Sequence, residues 1–182
     1  SAGWQWRIPL QSRVGNGLVF SSRYQEEAAA RDELQANLEG TPLTEPRLIR
    51  YVTGRRREIW KKNVVAIGLS SGFLEPLEST SIHLIQIGAM RLIQLFPFAG
   101  NFESLGARYN AQLRYEIERI RDFIILHYTL TRRDDTPFWR SCRDMDIPEE
   151  LAERIALFGD SGYVYQANDE LFRVASWLFV MV

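Results

Sequence analysis

Glu78 stands directly before a predicted helix whose first residues carry hydroxyl groups. Apolar positions at helical spacing predict this helix from Thr80 to Phe96, and Ser79 or Thr80 can cap its start. The first backbone N–H groups of a helix have no helical partner, so with the helix dipole they can hold an anion. A carboxylate in a partly dry pocket can exchange protons. The pattern fits either an acid/base group beside an anion site or an ordinary capped helix, and spacing alone favours the capped helix.

The residues before Glu78 predict a strand and a loop that would bring a ligand close to this carboxylate. Residues 63–69 form a short apolar run, which is typical of a buried strand. The loop at 70–73 contains small residues, which let a flat or charged ligand approach the backbone closely. Ligands in α/β folds bind beyond the carboxyl ends of such strands. We therefore expect a binding site where this strand ends.

The wider pattern predicts an α+β fold, with an antiparallel sheet portion followed by a mostly helical portion. An Asn16-Gly17 turn predicts one hairpin between residues 4–11 and 18–22, and Thr53-Gly54 predicts a second between 47–52 and 57–60. Helices are predicted at 23–38, 80–96 and 102–130, with further helical segments opening at 139 and 147–150 and a strand and loop at 162–172. The sheet and the ligand loop are expected at about 1–80, and the helical portion at about 81–182.

Composition narrows the classes of function. The 182 residues carry a net charge of −1, which gives no basic field for nucleic acid or an anionic membrane. No apolar run reaches the roughly 20 residues that span a bilayer. One cysteine excludes an internal disulfide framework, and His83 and His127 are the two histidines, so no metal site is expected. We expect a cytoplasmic protein with no nucleic-acid or membrane partner, in which His83 packs or forms hydrogen bonds.

Two motifs carry a resemblance to a known family. Residues 72–80 read Gly-Phe-Leu-Glu-Pro-Leu-Glu-Ser-Thr, and residues 4–9 read Trp-Gln-Trp-Arg-Ile-Pro. Both resemble hallmarks of the flavin-dependent halogenases of the tryptophan halogenase family, and they occur in the family's order. The likeness covers essentially the whole chain. It implies the C-terminal half of a larger flavin monooxygenase-like fold, contained in a longer protein that we call the parent enzyme.

The resemblance implies a cofactor, a reaction and site residues. In that family reduced FAD (FADH2, supplied by a flavin reductase), oxygen and chloride or bromide form a hypohalous oxidant that travels through a tunnel to the substrate. A lysine of the N-terminal half and a glutamate then activate the oxidant for attack on an aromatic ring. By motif position the glutamate is Glu78, the halide contacts the backbone of Thr80 and Ser81, and the flavin contacts Leu69 and Ile82.

The tryptophan-rich segment has two interpretations. The resemblance implies that Trp4, Trp6, Ile8 and Pro9 form a wall of the tunnel between flavin and substrate. Spacing alone favours a pair of tryptophans at i and i+2 on one face of a strand, packed into the core.

The expected substrate is a flat, electron-rich aromatic compound, because electrophilic halogenation requires one. Residues 162–177 lack the paired tyrosines and the Phe-Trp pair of the tryptophan-specific pattern. This absence favours indole, or a larger indole-like compound, over free tryptophan.

The chain also lacks features that the family reaction needs. It has no Gly-x-Gly-x-x-Gly fingerprint for a dinucleotide and no counterpart of the family lysine, so we expect the 182-residue polypeptide to be inactive alone. The alternatives are a related FAD-dependent monooxygenase without halide chemistry and a non-enzymatic α+β domain.

Overall fold

The structure, a computed structural model, describes residues 1–98, 100, 102–168 and 170–182, and they form the α+β fold that the sequence predicts. The strands are β1 (Gly3–Pro9), β2 (Val14–Phe20), β3 (Gly54–Arg55), β4 (Trp60–Lys61), β5 (Val64–Val65) and β6 (Gly72–Phe73). The helices are α1 (Glu27–Ala36), α2 (Ser81–Gln94), α3 (Phe102–Thr129), α4 (Pro137–Arg143), α5 (Glu149–Ser161) and α6 (Val174–Met181).

The chain divides into two compact units. One comprises residues 1–50 and 128–146, and the other comprises residues 51–127 and 147–182. The sequence predicts mostly strands before residue 80 and mostly helices after it. This change concerns the order of elements along the chain and does not coincide with a boundary between the two units. The second unit runs across that position and combines the short strands with α2, most of α3, α5 and α6.

The first unit contains the predicted hairpin, but its turn is elsewhere. β1 and β2 pair antiparallel, and Trp6 faces Gly17, which places Asn16 and Gly17 inside β2. The chain reverses between Leu10 and Arg13, where the N–H of Leu10 donates to the carbonyl of Arg13 over 2.8 Å. A Cβ at Gly17 would lie 2.3 Å from the Trp6 ring, so the glycine leaves room for the indole. The Asn-Gly turn prediction was wrong because this glycine accommodates a cross-strand ring.

The second predicted hairpin is absent from the described residues. β3 pairs instead with β6, and a Cβ at Gly72 would lie 2.6 Å from the carbonyl oxygen of Gly54. β4 pairs with β5 around a two-residue turn at Lys62 and Asn63, and Lys62 has a φ of 54°. The predicted strand at 63–69 shortens to β5, followed by a 3-10 turn at Gly68–Ser70. Pairing with a distant segment, which local alternation does not reveal, determines this sheet.

The observed helices agree with the sequence predictions more closely than the strands do. α3 ends one residue before its predicted end, α2 covers most of its predicted range, and α4 and α5 lie at the predicted openings. The strand predicted within 162–172 does not form among the described residues, and Asp169 lies outside them. The apolar run at the C-terminus forms α6. It folds onto the core of the second unit, where Trp177 packs edge to face against Phe123 with 4.9 Å between ring centroids.

Asn110 joins α3 to the short strands that precede the candidate site. Its Oδ1 accepts hydrogen bonds from the backbone N–H groups of Ile59 and Trp60, each over 2.8 Å. Its Nδ2 donates to the carbonyl of Trp60 over 2.9 Å. Ile59 and Trp60 are both buried, so these bonds pair backbone groups that water would not reach. The segment leading to the site is thereby fixed to the longest helix.

Gly68→Ala is expected to destabilise the second unit. Gly68 has a φ of 64°, and a Cβ there would lie 2.5 Å from Cγ1 of Ile85 on α2. The left-handed conformation alone costs an L residue about 1–2 kcal/mol, and moving Ile85 adds to that cost. The urea unfolding free energy of the parent enzyme measures the loss. Gly40→Ala is the matched control because its Cβ has no neighbour within 4 Å. Equal stability of the two variants would contradict the packing argument.

Candidate active site

Glu78 ends a short 3-10 turn, Pro76–Glu78, that leads into α2. The next residue, Ser79, has φ 55° and ψ 33°, a left-handed conformation that is uncommon outside glycine. The sequence predicted a side-chain cap of α2 by Ser79 or Thr80, and this prediction was wrong. Thr80 occupies the cap position, and neither its side chain nor a capping box supplies a cap hydrogen bond. Its helical φ and ψ angles, −78° and −7°, differ from the extended conformation that a capping hydroxyl normally requires.

The halide residues lie at the start of α2. Thr80 is buried at 4% exposure, Ser81 is half-buried, and the first turn contains no acidic residue. The first N–H groups of a helix have no helical acceptor, and the dipole places partial positive charge there. This end of α2 therefore has the electrostatics that an anion requires, in a partly shielded position.

Glu78 is paired with a histidine from α3. Its Oε1 lies 3.0 Å from Nε2 of His127, and the two side chains are 31% and 24% exposed respectively. The sequence predicted no role for His127. Its partner is remote in the chain, so no local spacing indicated the contact. A carboxylate and an imidazole at hydrogen-bond distance can exchange a proton, and this is the chemistry that the site offers.

The two expected flavin residues are exposed apolar side chains. Leu69, in the 3-10 turn, is 63% exposed, and Ile82, in the first turn of α2, is 78% exposed. The 3-10 turn and α2 lie in close contact at Gly68. A Cβ at this glycine would lie 2.5 Å from Cγ1 of Ile85 on α2. An apolar surface beside a glycine-mediated close approach fits a flat aromatic ring system. The residues present therefore fit the isoalloxazine ring of FAD.

The tryptophan-rich strand lies in the first unit. Trp4 and Trp6 are half-buried, Ile8 is 50% exposed, and Pro9 is exposed. The two tryptophans lie at i and i+2 of β1, and neither is fully buried. Trp6 covers Gly15 and Gly17 of β2, and its ring is partly accessible to solvent.

Trp6→Ala is expected to cost less stability than the loss of a fully buried ring. Removing a buried Trp costs about 3–5 kcal/mol, so a half-buried ring is expected to cost about 2 kcal/mol. The measurement is the urea unfolding free energy of the parent enzyme. Leu43→Ala, at a residue that is 78% exposed, is the control and is expected to change it by less than about 0.5 kcal/mol. A loss as large as about 4 kcal/mol would show that the ring is a core residue.

His83 and Cys142 have surroundings of their own. His83 lies with its Nε2 3.2 Å from Oε1 of the buried Glu116, as a hydrogen-bonding residue. Cys142 is buried in the first unit. Across the part of the chain that the structure describes, no group of three or more His, Cys, Asp or Glu could hold a metal ion. Among the same residues, no helix is long and apolar enough to cross a membrane.

Comparison with known proteins identifies the family. The tryptophan halogenase family model matches residues 1–182, and the chain belongs to this family. The chain is 37% identical to tryptophan 7-halogenase RebH of Lentzea aerocolonigenes, over 94% of its length. Two solved structures each superpose on 99% of the chain. They are Xcc4156, a flavin-dependent halogenase from Xanthomonas campestris (TM-score 0.96, 53% identity), and BrvH, a flavin-dependent halogenase from Brevundimonas sp. BAL3 (TM-score 0.95, 55% identity).

The chain spans about a third of the length of these relatives. It covers 35% of RebH, 36% of the Xcc4156 chain and 37% of the BrvH chain. The expected family is confirmed, whereas the expected share of one half was too large. The placement of the chain at the C-terminal end of the parent enzyme stays a prediction.

Proposed function

We propose that the parent enzyme is an FAD-dependent halogenase that transfers chloride or bromide to an indole-like aromatic compound. The observation that carries the proposal is the position of Glu78, between the start of α2 and His127. A proton-exchanging carboxylate next to a helix N-terminus places an acid/base group beside an anion site. The membership of the tryptophan halogenase family supports this assignment of roles.

Each proposed role belongs to a particular group of this chain. The backbone at Thr80 and Ser81 would hold the halide through N–H groups, and Glu78 would hold or move a proton at its carboxyl oxygens. Leu69 and Ile82 would cover one face of the flavin with apolar surface and exclude water from it. FAD held there in its reduced form would supply two electrons to oxygen, and the activated oxygen would oxidise the halide to an electrophile.

The tryptophan-rich strand has a proposed role of its own. Trp4, Trp6, Ile8 and Pro9 would form an apolar wall of the tunnel through which the oxidant passes. Their partial exposure supports this role, because a wall residue must present surface to the tunnel.

The 182-residue chain alone is proposed to be inactive. It lacks the dinucleotide fingerprint and a counterpart of the family lysine, so it would hold neither the FAD phosphates nor the oxidant as the family does. A flavin reductase is proposed as the partner that delivers FADH2 to the parent enzyme.

The proposed substrate is indole or a larger indole-like compound in preference to free tryptophan. Binding the free amino acid requires groups that pair with its ammonium and its carboxylate. Among the described residues of the stretch that would supply such groups, Glu170 carries a buried carboxylate, and both of its oxygens are within hydrogen-bond distance of Arg154, at 2.7 and 3.2 Å. This carboxylate is thus engaged by the protein's own guanidinium. Leaving a substrate ammonium unpaired costs several kcal/mol, about enough to prevent tight binding.

A substrate panel on the parent enzyme tests the function. The enzyme is mixed with FAD, a flavin reductase and either chloride or bromide, and then with indole, substituted indoles or free tryptophan. We expect halogenated indoles and little halogenated tryptophan. Oxygenated but never halogenated products would instead indicate a related monooxygenase. A parent protein that binds no FAD in titration would indicate a non-enzymatic domain. Efficient chlorination of free tryptophan, with indole ignored, would contradict the substrate proposal alone.

A further inference from the structure

The imidazole of His127 is held in one orientation by its own helix. Its Nδ1 lies 2.8 Å from the carbonyl oxygen of Phe123, one helical turn earlier. The ring of Phe123 also packs edge to face against it, with 5.0 Å between the centroids and 86° between the planes. These two contacts leave Nε2 directed at Oε1 of Glu78, 3.0 Å away.

The bond to Phe123 determines which nitrogen can change its protonation. A backbone carbonyl oxygen only accepts hydrogen bonds, so Nδ1 must carry a hydrogen. When the ring is neutral, Nε2 is an acceptor, and a hydrogen bond with Glu78 then requires a protonated carboxyl. When the ring is charged, Nε2–H donates to a carboxylate. In both arrangements the contact contains one proton, shared between Oε1 of Glu78 and Nε2 of His127.

We propose that His127 is the positioning residue of Glu78, and that its Nε2 takes up the proton that Glu78 accepts from the substrate. This inference rests on the proposed function. Aromatic substitution ends when a C–H bond at the halogenated carbon breaks and its electron pair returns to the ring. The proton forms an O–H bond at Oε2 of Glu78, because His127 occupies Oε1. At the same time the shared proton passes from Oε1 to Nε2, so the Oε1–H bond breaks and the product is an imidazolium beside a carboxyl group protonated at Oε2.

The pair explains how Glu78 is made ready for a further turnover. After the transfer the two side chains hold one proton more than before, and they must release one before the next substrate proton is accepted. An imidazolium can release a proton to water, which returns the pair to a single shared proton. His127 is 24% exposed, which gives the released proton a route to solvent.

Two variants of the parent enzyme distinguish proton uptake by His127 from its hydrogen bond to the carboxylate of Glu78. In His127→Gln an amide N–H can still hold the carboxylate of Glu78, but it cannot take up a proton. In His127→Asn the amide N–H can keep the bond to the Phe123 carbonyl, but the side chain is too short to reach Glu78. We expect each variant to lose about a hundredfold in kcat. The KM for the aromatic substrate is expected to change less than about threefold.

The outcomes decide between the roles. A larger solvent deuterium isotope effect on kcat in His127→Gln would support proton transfer. Wild-type kcat in His127→Gln would overturn the proposal, because holding alone would then suffice. His83→Gln is the matched control, since it removes the other histidine–glutamate contact, 3.2 Å to Glu116. It is expected to keep kcat within about twofold of the wild type. Thermal melting of each variant shows whether it is folded.

Nitrogen-15 NMR of the histidine-labelled parent enzyme gives a readout that does not depend on activity. The His127 signals are identified by their loss in His127→Gln. We expect a protonated Nδ1, and an Nε2 signal that moves in Glu78→Gln while that of His83 does not. An Nδ1 without a proton, or an Nε2 signal that is unchanged in Glu78→Gln, would contradict the proposal that the two side chains share a proton. If the parent enzyme halogenates nothing, the proposed function fails, whereas the NMR result still decides whether the two side chains share a proton.

Discussion

Glu78→Gln in the parent enzyme is expected to remove most halogenation and to leave FAD bound. The glutamine fills nearly the same volume and can still form a hydrogen bond with His127, whose Nε2 is 3.0 Å from the native Oε1. It cannot accept or release a proton at this position. A positioned acid or base contributes about 10²–10⁴-fold to the rate, so kcat is expected to fall by that factor. Single-turnover kinetics with pre-reduced FAD measures the loss.

The control for this variant removes a carboxylate from elsewhere in the same unit. Glu153→Gln on α5 makes the same change of charge at an exposed position, and its kcat is expected to stay within about twofold of the wild type. FAD titration and thermal melting of both variants show whether the cofactor site and the fold remain. Near-normal turnover of Glu78→Gln would contradict the assignment of Glu78 as the acid/base group.

The sequence predicted those elements whose signals are local. α3 shows apolar residues at helical spacing, and its predicted and observed ranges differ by one residue at one end. The strands were harder, because β3 pairs with β6 and neither strand has more than two residues. The Asn16-Gly17 pair has the composition of a turn, yet its glycine makes room for the Trp6 ring. A side chain from the neighbouring strand therefore overrode the local turn preference.

The part of the candidate site that lies in one stretch of the chain was predictable, because its signals are local. Glu78 and the start of α2 are adjacent in the chain, so one motif contains both. His127 approaches from the far end of α3, and only the packing of α3 in this unit brings it to the carboxylate. The run of apolar residues in α6 fits either a strand or a helix. Its contact with Phe123 through Trp177 shows that tertiary packing decided between them.

Arg154→Met is expected to cause the largest loss of stability among these variants. The guanidinium of Arg154 on α5 and the carboxylate of Glu170 form a bidentate pair in which the side chains are 2% and 1% exposed. Burial alone would lower the pKa of Arg154, but the hydrogen bond and the charge of Glu170 outweigh it and raise the pKa. The guanidinium also lies over the Trp177 ring of α6, 4.0 Å from its centroid. The pair thus fastens α6 and the loop before it to α5.

Removing one partner leaves a buried charge without compensation, which costs about 3–5 kcal/mol. Urea unfolding of the parent enzyme, followed by tryptophan fluorescence, measures this loss. Arg50→Ala is the control, because Arg50 pairs with Glu27 at the surface with 83% of its side chain exposed, and it is expected to cost less than about 1 kcal/mol. Arg154→Met combined with Glu170→Leu removes both charges and is expected to recover most of the loss. A double variant as unstable as Arg154→Met alone would show that the cost comes from lost packing on Trp177 and not from the unpaired carboxylate.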